Sequence, residues 1–274
     1  MSLGITKPTI NELSNKSSIE IFDDVEADPS KKTLLSAIEV GKKFKATGVI
    51  GFGGGSSMDV AKLVALILGS NEDLEQAWGV ANAKGPRLPL VLVPTTAGTG
   101  SEVTPVAIIT VGEEEKKGVS SSIILPDIAI LDPELTLGLP AETTAATGID
   151  AMVHAIEAYA SKSKNNNPIS RMIAIEALKL LSGSIEKSVL DGSNLEARGN
   201  MLIGAMLAGK AFANSPVAAV HALAYPIGGI YHVSHGLSNS LVLPYVLRFN
   251  SVDPKAAKDY SDLSKYVFPD LDIN

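Results

Sequence analysis

The stretch GVIGFGGGSSMDVAKLVA, residues 48–65, decides the first half of the fold. A short apolar run leads into four glycines within five positions, and a segment with apolar residues at helical spacing follows. This order predicts a buried strand, a tight turn and a helix. Glycines let the backbone approach a ligand closely, and a helix N-terminus offers free N–H groups that suit a pyrophosphate. The turn matches neither the G-x-G-x-x-G nor the P-loop pattern. The alternative interpretation is an ordinary helix start, which Ser56 or Ser57 would cap and in which Asp59 would lie in the first turn.

Strands and helices alternate around this turn. Further strands are predicted at residues 19–25, 88–96, 107–111 and 127–133, with a helix at residues 31–46. Such alternation predicts an α/β domain with a largely parallel sheet, although IITVGEEEKKGVSSSIIL (residues 108–125) is typical of an antiparallel hairpin. From about Gly138 the chain consists of long Ala-rich segments of helical period. We therefore predict an α/β domain over residues 1–137 and an all-α domain over residues 138–274.

Composition excludes several classes of protein. The chain has 274 residues, a formal net charge of −7 and no cysteine. The negative charge argues against nucleic-acid binding, and the lack of cysteine excludes thiolate chemistry. No apolar run approaches the ~20 residues of a membrane span, and the first residues lack the apolar core of a signal peptide. We expect a cytoplasmic protein with neither nucleic acid nor membrane as a partner.

Four residues predict a divalent-metal site. Asp150 and His154 are four residues apart in a helix-favouring stretch, so both side chains lie on one helical face. The other three histidines of the chain all lie in HALAYPIGGIYHVSHG, residues 221–236. Together with His221 and His235, the pair supplies three imidazoles and one carboxylate, which suit Fe²⁺ or Zn²⁺ and leave a position for water or substrate. A metal of this kind indicates an enzyme.

Two neighbouring residues have open interpretations. His232 is interpreted as a solvated residue, with a proton relay or a contact to a metal ligand as alternatives. Glu157 follows His154 by three residues and is interpreted as an ordinary helix-surface charge, with orientation of a ligand as the alternative.

A second polar turn follows another predicted strand. VPTTAGTGSEVTP (residues 93–105) carries hydroxyl groups at Thr95, Thr96 and Thr99 that can donate hydrogen bonds to phosphate or ribose oxygens. An ordinary polar turn explains this stretch equally well by itself. Two such turns after successive strands favour a nucleotide site more strongly than either turn alone.

Six stretches resemble the iron-containing (group III) alcohol dehydrogenases. They are FDDVEADPS, GFGGGSSMDVAK, VPTTAGTGSEVT, LPDIAILDPELTLGLP, ATGIDAMVHAIEAY and VHALAYPIGGIYHVSHGLSNSLVLPYVLRFN, in the family's order between about residues 20 and 250. The resemblance implies a dehydroquinate synthase-like architecture, with a dinucleotide-binding α/β domain and a helical metal-binding domain. It also implies hydride transfer between NAD or NADP and a small alcohol or aldehyde, with Fe²⁺ or Zn²⁺, in a homodimer.

The resemblance also implies roles for individual residues. The metal ligands would be Asp150, His154, His221 and His235, in agreement with the spacing argument. Gly53, Gly54, Gly55 and Ser56 would contact the pyrophosphate, Thr95, Thr96 and Thr99 would line the cofactor, and Asp28 and Lys116 fall near cofactor-lining positions.

Three departures from the family pattern matter. The chain begins after the family's first strand, whose acidic residue holds the adenosine ribose, so the choice between NAD and NADP is open. The opening Met-Ser-Leu resembles an added leader, and relatives continue beyond the last residues, FPDLDIN. Tyr225 stands where many relatives have a second active-site histidine, and the candidates for relaying the proton are Tyr225, Tyr231 and His232.

Two rival functions follow from the same sequence. A metal-dependent lyase or cyclase related to dehydroquinate synthase would be expected to carry more basic residues near its site, and Lys62, Lys116 and Arg248 are the nearest candidates. A non-catalytic remnant that binds nucleotide or metal is the other rival.

Overall fold

The computed structural model describes residues 4–112, 115–231 and 233–269. The chain divides into two compact units, one of Met1–Thr95 with Pro105–Gly138 and the other of Thr96–Thr104 with Leu139–Asn274. We call them the α/β unit and the helical unit.

The described residues of the α/β unit form two sheets. Its elements are α1 (Lys7–Ser14), α2 (Lys31–Phe44), β1 (Val49–Gly53), α3 (Gly55–Ser70), α4 (Leu74–Ala77), β2 (Gly79–Val80), β3 (Leu90–Pro94), β4 (Val106–Val111), β5 (Glu115–Ser120) and β6 (Ile128–Ala129), with 3₁₀ turns at Ser122–Ile124 and Pro133–Thr136. One sheet is parallel in the order β1-β3-β6, and the other has the order β2-β5-β4 with β4 and β5 antiparallel. The predicted parallel sheet and the predicted hairpin are both confirmed.

The strand predicted at residues 19–25 is wrong. These residues lie outside the helices and strands that the structure describes. Phe22 and Val25 instead pack against the hydrophobic core formed around Leu34, Leu63 and Ile109. Packing against this core therefore explains why the segment is apolar, without pairing to a neighbouring strand.

A paired side-chain contact joins β3 to the chain before β6. Arg87 donates from its two terminal nitrogens to the two carboxylate oxygens of Asp127, at 2.7 and 2.8 Å. Asp127 Oδ2 also accepts from the backbone N–H of Leu90 at 2.8 Å. This bidentate geometry fixes where the parallel pairing of β3 and β6 begins.

The helical unit contains α5 (Ala141–Ala160), α6 (Pro168–Leu190), α7 (Leu195–Asn214), α8 (Ala219–Tyr231), α9 (His235–Asn250) and α10 (Pro254–Val267), with a 3₁₀ turn at Ser101–Val103. The predicted all-α character of the second half is thus confirmed. Alanine and glycine allow close packing here. A Cβ added at Gly100, where φ is +61°, would lie 2.6 Å from the Cα of Gly209 in α7, so residues 96–104 lie directly against that helix.

Within the described ranges, no single helix is long and apolar enough to cross a membrane. The pair α7 and α8, which is bent by 109°, meets the criterion only when the two helices are taken together.

Candidate active site

One face of α5 carries three buried acidic or basic side chains. Asp150, His154 and Glu157 are at positions i, i+4 and i+7 of the helix, which places them along one side. Their exposed fractions are only 3%, 5% and 7%. The interpretation of Glu157 as a helix-surface charge is therefore wrong.

His221 and His235 meet this face of α5. His221 is the third residue of α8, and His235 is the first residue of α9. The Nε2 atoms of His235, His221 and His154 lie 3.5, 3.7 and 3.9 Å from Asp150 Oδ1. One ligand atom from each of the four residues falls within a 4.8 Å cluster.

This cluster fits a divalent cation. Four ligands arranged tetrahedrally at about 2.1 Å from a metal are about 3.4 Å apart, close to the shorter of the observed separations. Three imidazole nitrogens and one carboxylate oxygen form a donor set that accepts Fe²⁺ and Zn²⁺. The geometry thus brings together all four residues that the sequence proposed as ligands.

The cluster is buried on one side and open on the other. The side chain of His235 is 34% exposed, whereas those of Asp150, His154 and His221 are 3–6% exposed. The ring of Tyr225 stacks on that of His235 with 5.6 Å between centroids. Among the four side chains of the cluster, His235 is thus the most exposed, and the part-exposed Tyr225 lies against it.

Two further side chains contact three of the four predicted ligands, which are Asp150, His221 and His235. Glu157 accepts hydrogen bonds from His221 Nδ1 at 2.6 Å and from the backbone N–H groups of Ala218 and Val220 at 3.0 and 2.7 Å. Asn239 Nδ2 donates to Asp150 Oδ1 at 2.6 Å and lies 3.3 Å from Nε2 of both His221 and His235. Sequence reasoning did not identify Asn239, although it follows His235 by four residues and so shares its helical face.

Burial and charge shift the pKa values of the cluster in opposite directions. Burial raises the pKa of Asp150, but the neighbouring histidines, His154 foremost, outweigh burial and hold the pKa well below its usual range. Burial likewise raises the pKa of Glu157, but hydrogen bonds from His221 and two backbone N–H groups keep it low. Both carboxylates are therefore ionised at neutral pH.

The buried histidines differ from each other. Burial lowers the pKa of His154 to about 4, in spite of the nearby charge of Asp150. Burial also disfavours the charged form of His221, but Asp150 and Glu157 outweigh that effect and raise its pKa to about 9. His154 is thus available as a neutral ligand, while a cation must displace a proton from His221.

The glycine turn lies between β1 and α3. Gly54 occupies the N-cap position of α3 without a side-chain cap, so the predicted alternative of a serine cap is wrong. Ser56 Oγ instead accepts a hydrogen bond from the backbone N–H of Asp28 at 3.2 Å. Gly53, with φ of +149°, closes β1, and its carbonyl oxygen accepts from the N–H of Thr95 at 2.9 Å.

Two of the other cofactor candidates lie next to this turn. Lys116 Nζ is 2.7 Å from Asp28 Oδ1 and donates to Thr110 Oγ1 at 3.0 Å. Asp28 in turn is bonded to Ser56, so the structure brings Asp28, Ser56 and Lys116 together. Thr96 and Thr99 belong to the helical unit, where Thr99 Oγ1 accepts from the N–H of Ser101 at 3.2 Å.

The proposed proton relays are not equivalent. Tyr231, at the end of α8, is 72% exposed, and Tyr225 is 38% exposed with its ring against His235. His232 lies outside the described residues. Of the residues that the structure describes, Tyr225 is the relay candidate in contact with a predicted ligand.

The basic residues considered for a lyase have other partners. Lys62 is completely buried, and its Nζ donates to the carbonyl oxygen of Val106 at 2.7 Å. Lys116 pairs with Asp28, and Arg248 lies over the ring of Tyr245 at 6.0 Å. These contacts give the lyase or cyclase hypothesis no support.

The fold and the cluster together define a protein with an α/β unit, a glycine turn and a helical unit that offers an Asp/His₃ cation site. The profile described as iron-containing alcohol dehydrogenase matches residues 1–133, and that of the C-terminal part of the Fe-containing alcohol dehydrogenase family matches residues 144–271. An alcohol dehydrogenase from Oenococcus oeni is similar in structure, with a TM-score of 0.90 and 36% identity over 96% of this chain and 69% of that one.

Curated relatives of similar sequence are alcohol dehydrogenases as well. The long-chain-alcohol dehydrogenase 1 of Geobacillus thermodenitrificans is 44% identical over 85% of this chain. The NAD-dependent methanol dehydrogenase of Bacillus methanolicus is 37% identical over 85% of this chain. The chain belongs to the iron-containing alcohol dehydrogenase family. It spans 59% and 61% of the lengths of these two relatives.

Proposed function

We propose that the protein is a metal-dependent oxidoreductase that transfers hydride between a nicotinamide cofactor and a small alcohol or aldehyde. The observation that carries this proposal is the convergence of Asp150, His154, His221 and His235 on one 4.8 Å cluster that is open at His235. Membership of the iron-containing alcohol dehydrogenase family supports it. Fe²⁺ is the proposed cation, and the same donor set also accepts Zn²⁺.

The position of each residue in the cluster suggests its role. Asp150, His154 and His221 would hold the cation from the buried side. A bound divalent cation lowers the pKa of an alcohol hydroxyl and polarises a carbonyl group. Substrate would enter past His235, and the phenol of Tyr225, stacked on that ring and part exposed, would exchange the reaction's proton with solvent.

The glycine turn is the proposed seat of the cofactor. Gly53, Gly54, Gly55 and Ser56 precede or open α3, whose N-terminal N–H groups and positive dipole end suit a pyrophosphate. Thr95, bonded to Gly53, lies beside them, and Asp28 and Lys116 adjoin Ser56. Thr96 and Thr99 are proposed as further contacts. NAD is the proposed cofactor because the methanol dehydrogenase relative is NAD-dependent, with NADP as the alternative.

The test uses metal-stripped protein restored anaerobically with Fe²⁺ or Zn²⁺. Oxidation of NADH and NADPH is followed with a panel of short aldehydes, and His235→Ala serves as the variant lacking the exposed ligand. Turnover that returns with one cation in the wild type and not in the variant is the expected result. Tight nucleotide binding without turnover under any condition would instead indicate the non-catalytic alternative.

A homodimer and a cytoplasmic location stay predictions. Light scattering coupled to size-exclusion chromatography measures the mass of the assembly directly, and a mass of one chain would contradict the dimer.

A further inference from the structure

A single buried carboxylate connects α5 to the start of α8. Glu157 belongs to the helix that carries Asp150 and His154, and it receives hydrogen bonds from His221 and from two backbone N–H groups, those of Ala218 and Val220. We infer that Glu157 is a positioning residue of the metal centre, which sets the orientation of His221 toward a bound cation. The inference rests on the metal site of the proposed function.

The hydrogen bond to Glu157 determines which nitrogen of His221 can be a ligand. An ionised carboxylate only accepts hydrogen bonds, so Nδ1 of His221, 2.6 Å away, must carry the proton. In the neutral ring the lone pair is then on Nε2, the nitrogen that lies 3.7 Å from Asp150 Oδ1. Nε2 is therefore the nitrogen that becomes a ligand when a cation displaces its proton.

The neighbouring imidazole has no equivalent support. His154 Nδ1 is buried and has no hydrogen-bond partner among the residues that the structure describes. Its ring is instead stacked between Phe212, at 4.6 Å, and His221, at 4.5 Å between centroids. Since His221 forms one wall of this stack, a His221 ring fixed by Glu157 also restrains His154. Loss of Glu157 should thus disturb two ligands.

Glu157 also offsets an unfavourable electrostatic feature. The N-terminus of a helix carries about +0.5 of an elementary charge, which disfavours a cation nearby. His221 lies in the first turn of α8, so its ligand atom is close to such a positive end. The Glu157 carboxylate accepts hydrogen bonds from the N–H of Val220 in that turn and from the N–H of Ala218 just before it. With Asp150 it brings two negative charges to the site, which match one divalent cation.

The inference is tested by metal binding alone. Co²⁺ affinity is measured by competition with a chromophoric chelator, and the visible spectrum of bound Co²⁺ reports the ligand geometry. Glu157→Gln keeps the size of the side chain and removes its charge, so Co²⁺ affinity should fall by about 10- to 100-fold, with a changed spectrum. Glu157→Asp keeps the charge and should recover part of the affinity, which also covers the case of a Gln variant that fails to fold.

A matched control separates positioning from stability. Ser215→Ala removes another buried hydrogen bond, from Ser215 Oγ to the carbonyl oxygen of Ala158 at 2.6 Å, and touches none of the four ligands. It should lower the melting temperature and leave Co²⁺ affinity and spectrum unchanged. Equal affinity losses in Ser215→Ala and Glu157→Gln, or wild-type affinity and spectrum in Glu157→Gln, would overturn the inference.

The result is distinguishable from failure of the proposed function. Wild-type protein that binds Co²⁺ but reduces no aldehyde with Fe²⁺ or Zn²⁺ would overturn the proposed activity, while the variants would still decide the role of Glu157. Wild-type protein that binds no Co²⁺ would overturn both.

Discussion

One methyl group at Gly236 should displace a proposed metal ligand, His235. Gly236 follows His235 at the start of α9 and packs against α5. A Cβ added there would lie 2.1 Å from the carbonyl oxygen and 2.5 Å from the carbonyl carbon of Ala146, whereas ordinary contact begins at 3.4 Å. Because both groups are backbone, α9 must move away from α5 by roughly 1.3 Å to accept alanine.

A helix shift of this size exceeds what metal coordination tolerates, but it costs only modest folding stability. Metal–ligand distances tolerate only about 0.2 Å, so a shift of the adjacent residue should remove His235 from the ligand set. Overpacking costs about 1–3 kcal/mol, and each kcal/mol lowers the melting temperature of a protein of this size by about 2–4 °C. Gly236→Ala should therefore lose at least about tenfold in Co²⁺ affinity while remaining folded at room temperature.

The assay is Co²⁺ titration beside thermal unfolding followed by circular dichroism. Gly183→Ala is the control, since a Cβ at that position in α6 meets no described atom within 4 Å. Alanine is the better helix former, so the control should keep its Co²⁺ affinity and gain up to about 1 kcal/mol of stability. Wild-type Co²⁺ affinity and melting temperature in Gly236→Ala would refute the packing argument.

Three shorter predictions follow. His235→Ala should abolish metal-dependent aldehyde reduction without altering the far-ultraviolet circular dichroism, and full activity in the metal-free variant would contradict the proposed mechanism. Gly53→Ala forces a side chain into φ of +149°, so it should cost about 1–3 kcal/mol and weaken NADH binding, and unchanged fluorescence titration and melting temperature would speak against it. Hydrogen bonds from Arg87 lower the pKa of Asp127 to about 2. Because the folded-state pKa lies below the unfolded value of about 3.9, this stabilisation is present above pH ~4 and is lost as pH falls toward 2. The melting temperature of Asp127→Asn should thus lie below wild type at pH 6 and converge with it under acid, whereas a gap independent of pH would contradict this account.

Local sequence signals predicted local structure well. The apolar run, the glycines and the helical period of residues 48–65 correspond to β1, the turn and α3, because each signal depends on neighbours along the chain. The segment of residues 19–25 shows the limit of this reasoning. A strand requires a partner strand from a distant part of the chain. In this segment Phe22 and Val25 pack against a hydrophobic core instead.

In the candidate site, too, the sequence predicted the local features and did not predict the long-range contacts. The spacing of Asp150 and His154 indicated one helical face, and the structure places both there. Glu157 lies on that face as well, but spacing alone does not show that the start of α8 covers it. The position of Ser56 and Ser57 at the start of a helix favours a capping role, and only the fold shows that the hydroxyl of Ser56 accepts from the backbone N–H of Asp28 instead.

The route of the chain between its two units limits how the protein can be rearranged. The chain leaves the α/β unit after Thr95, contributes residues 96–104 to the helical unit and returns at Pro105 before leaving again after Gly138. A chimaera joined at residue 138 would inherit its α7 from one parent and the loop against that helix from the other. At Gly100 and Gly209 the two backbones allow no Cβ between them, so the parents of such a chimaera must match in the loop as well as in the helices. We therefore expect chimaeras of this fold to be stable when residues 96–104 come from the same parent as residues 139–274.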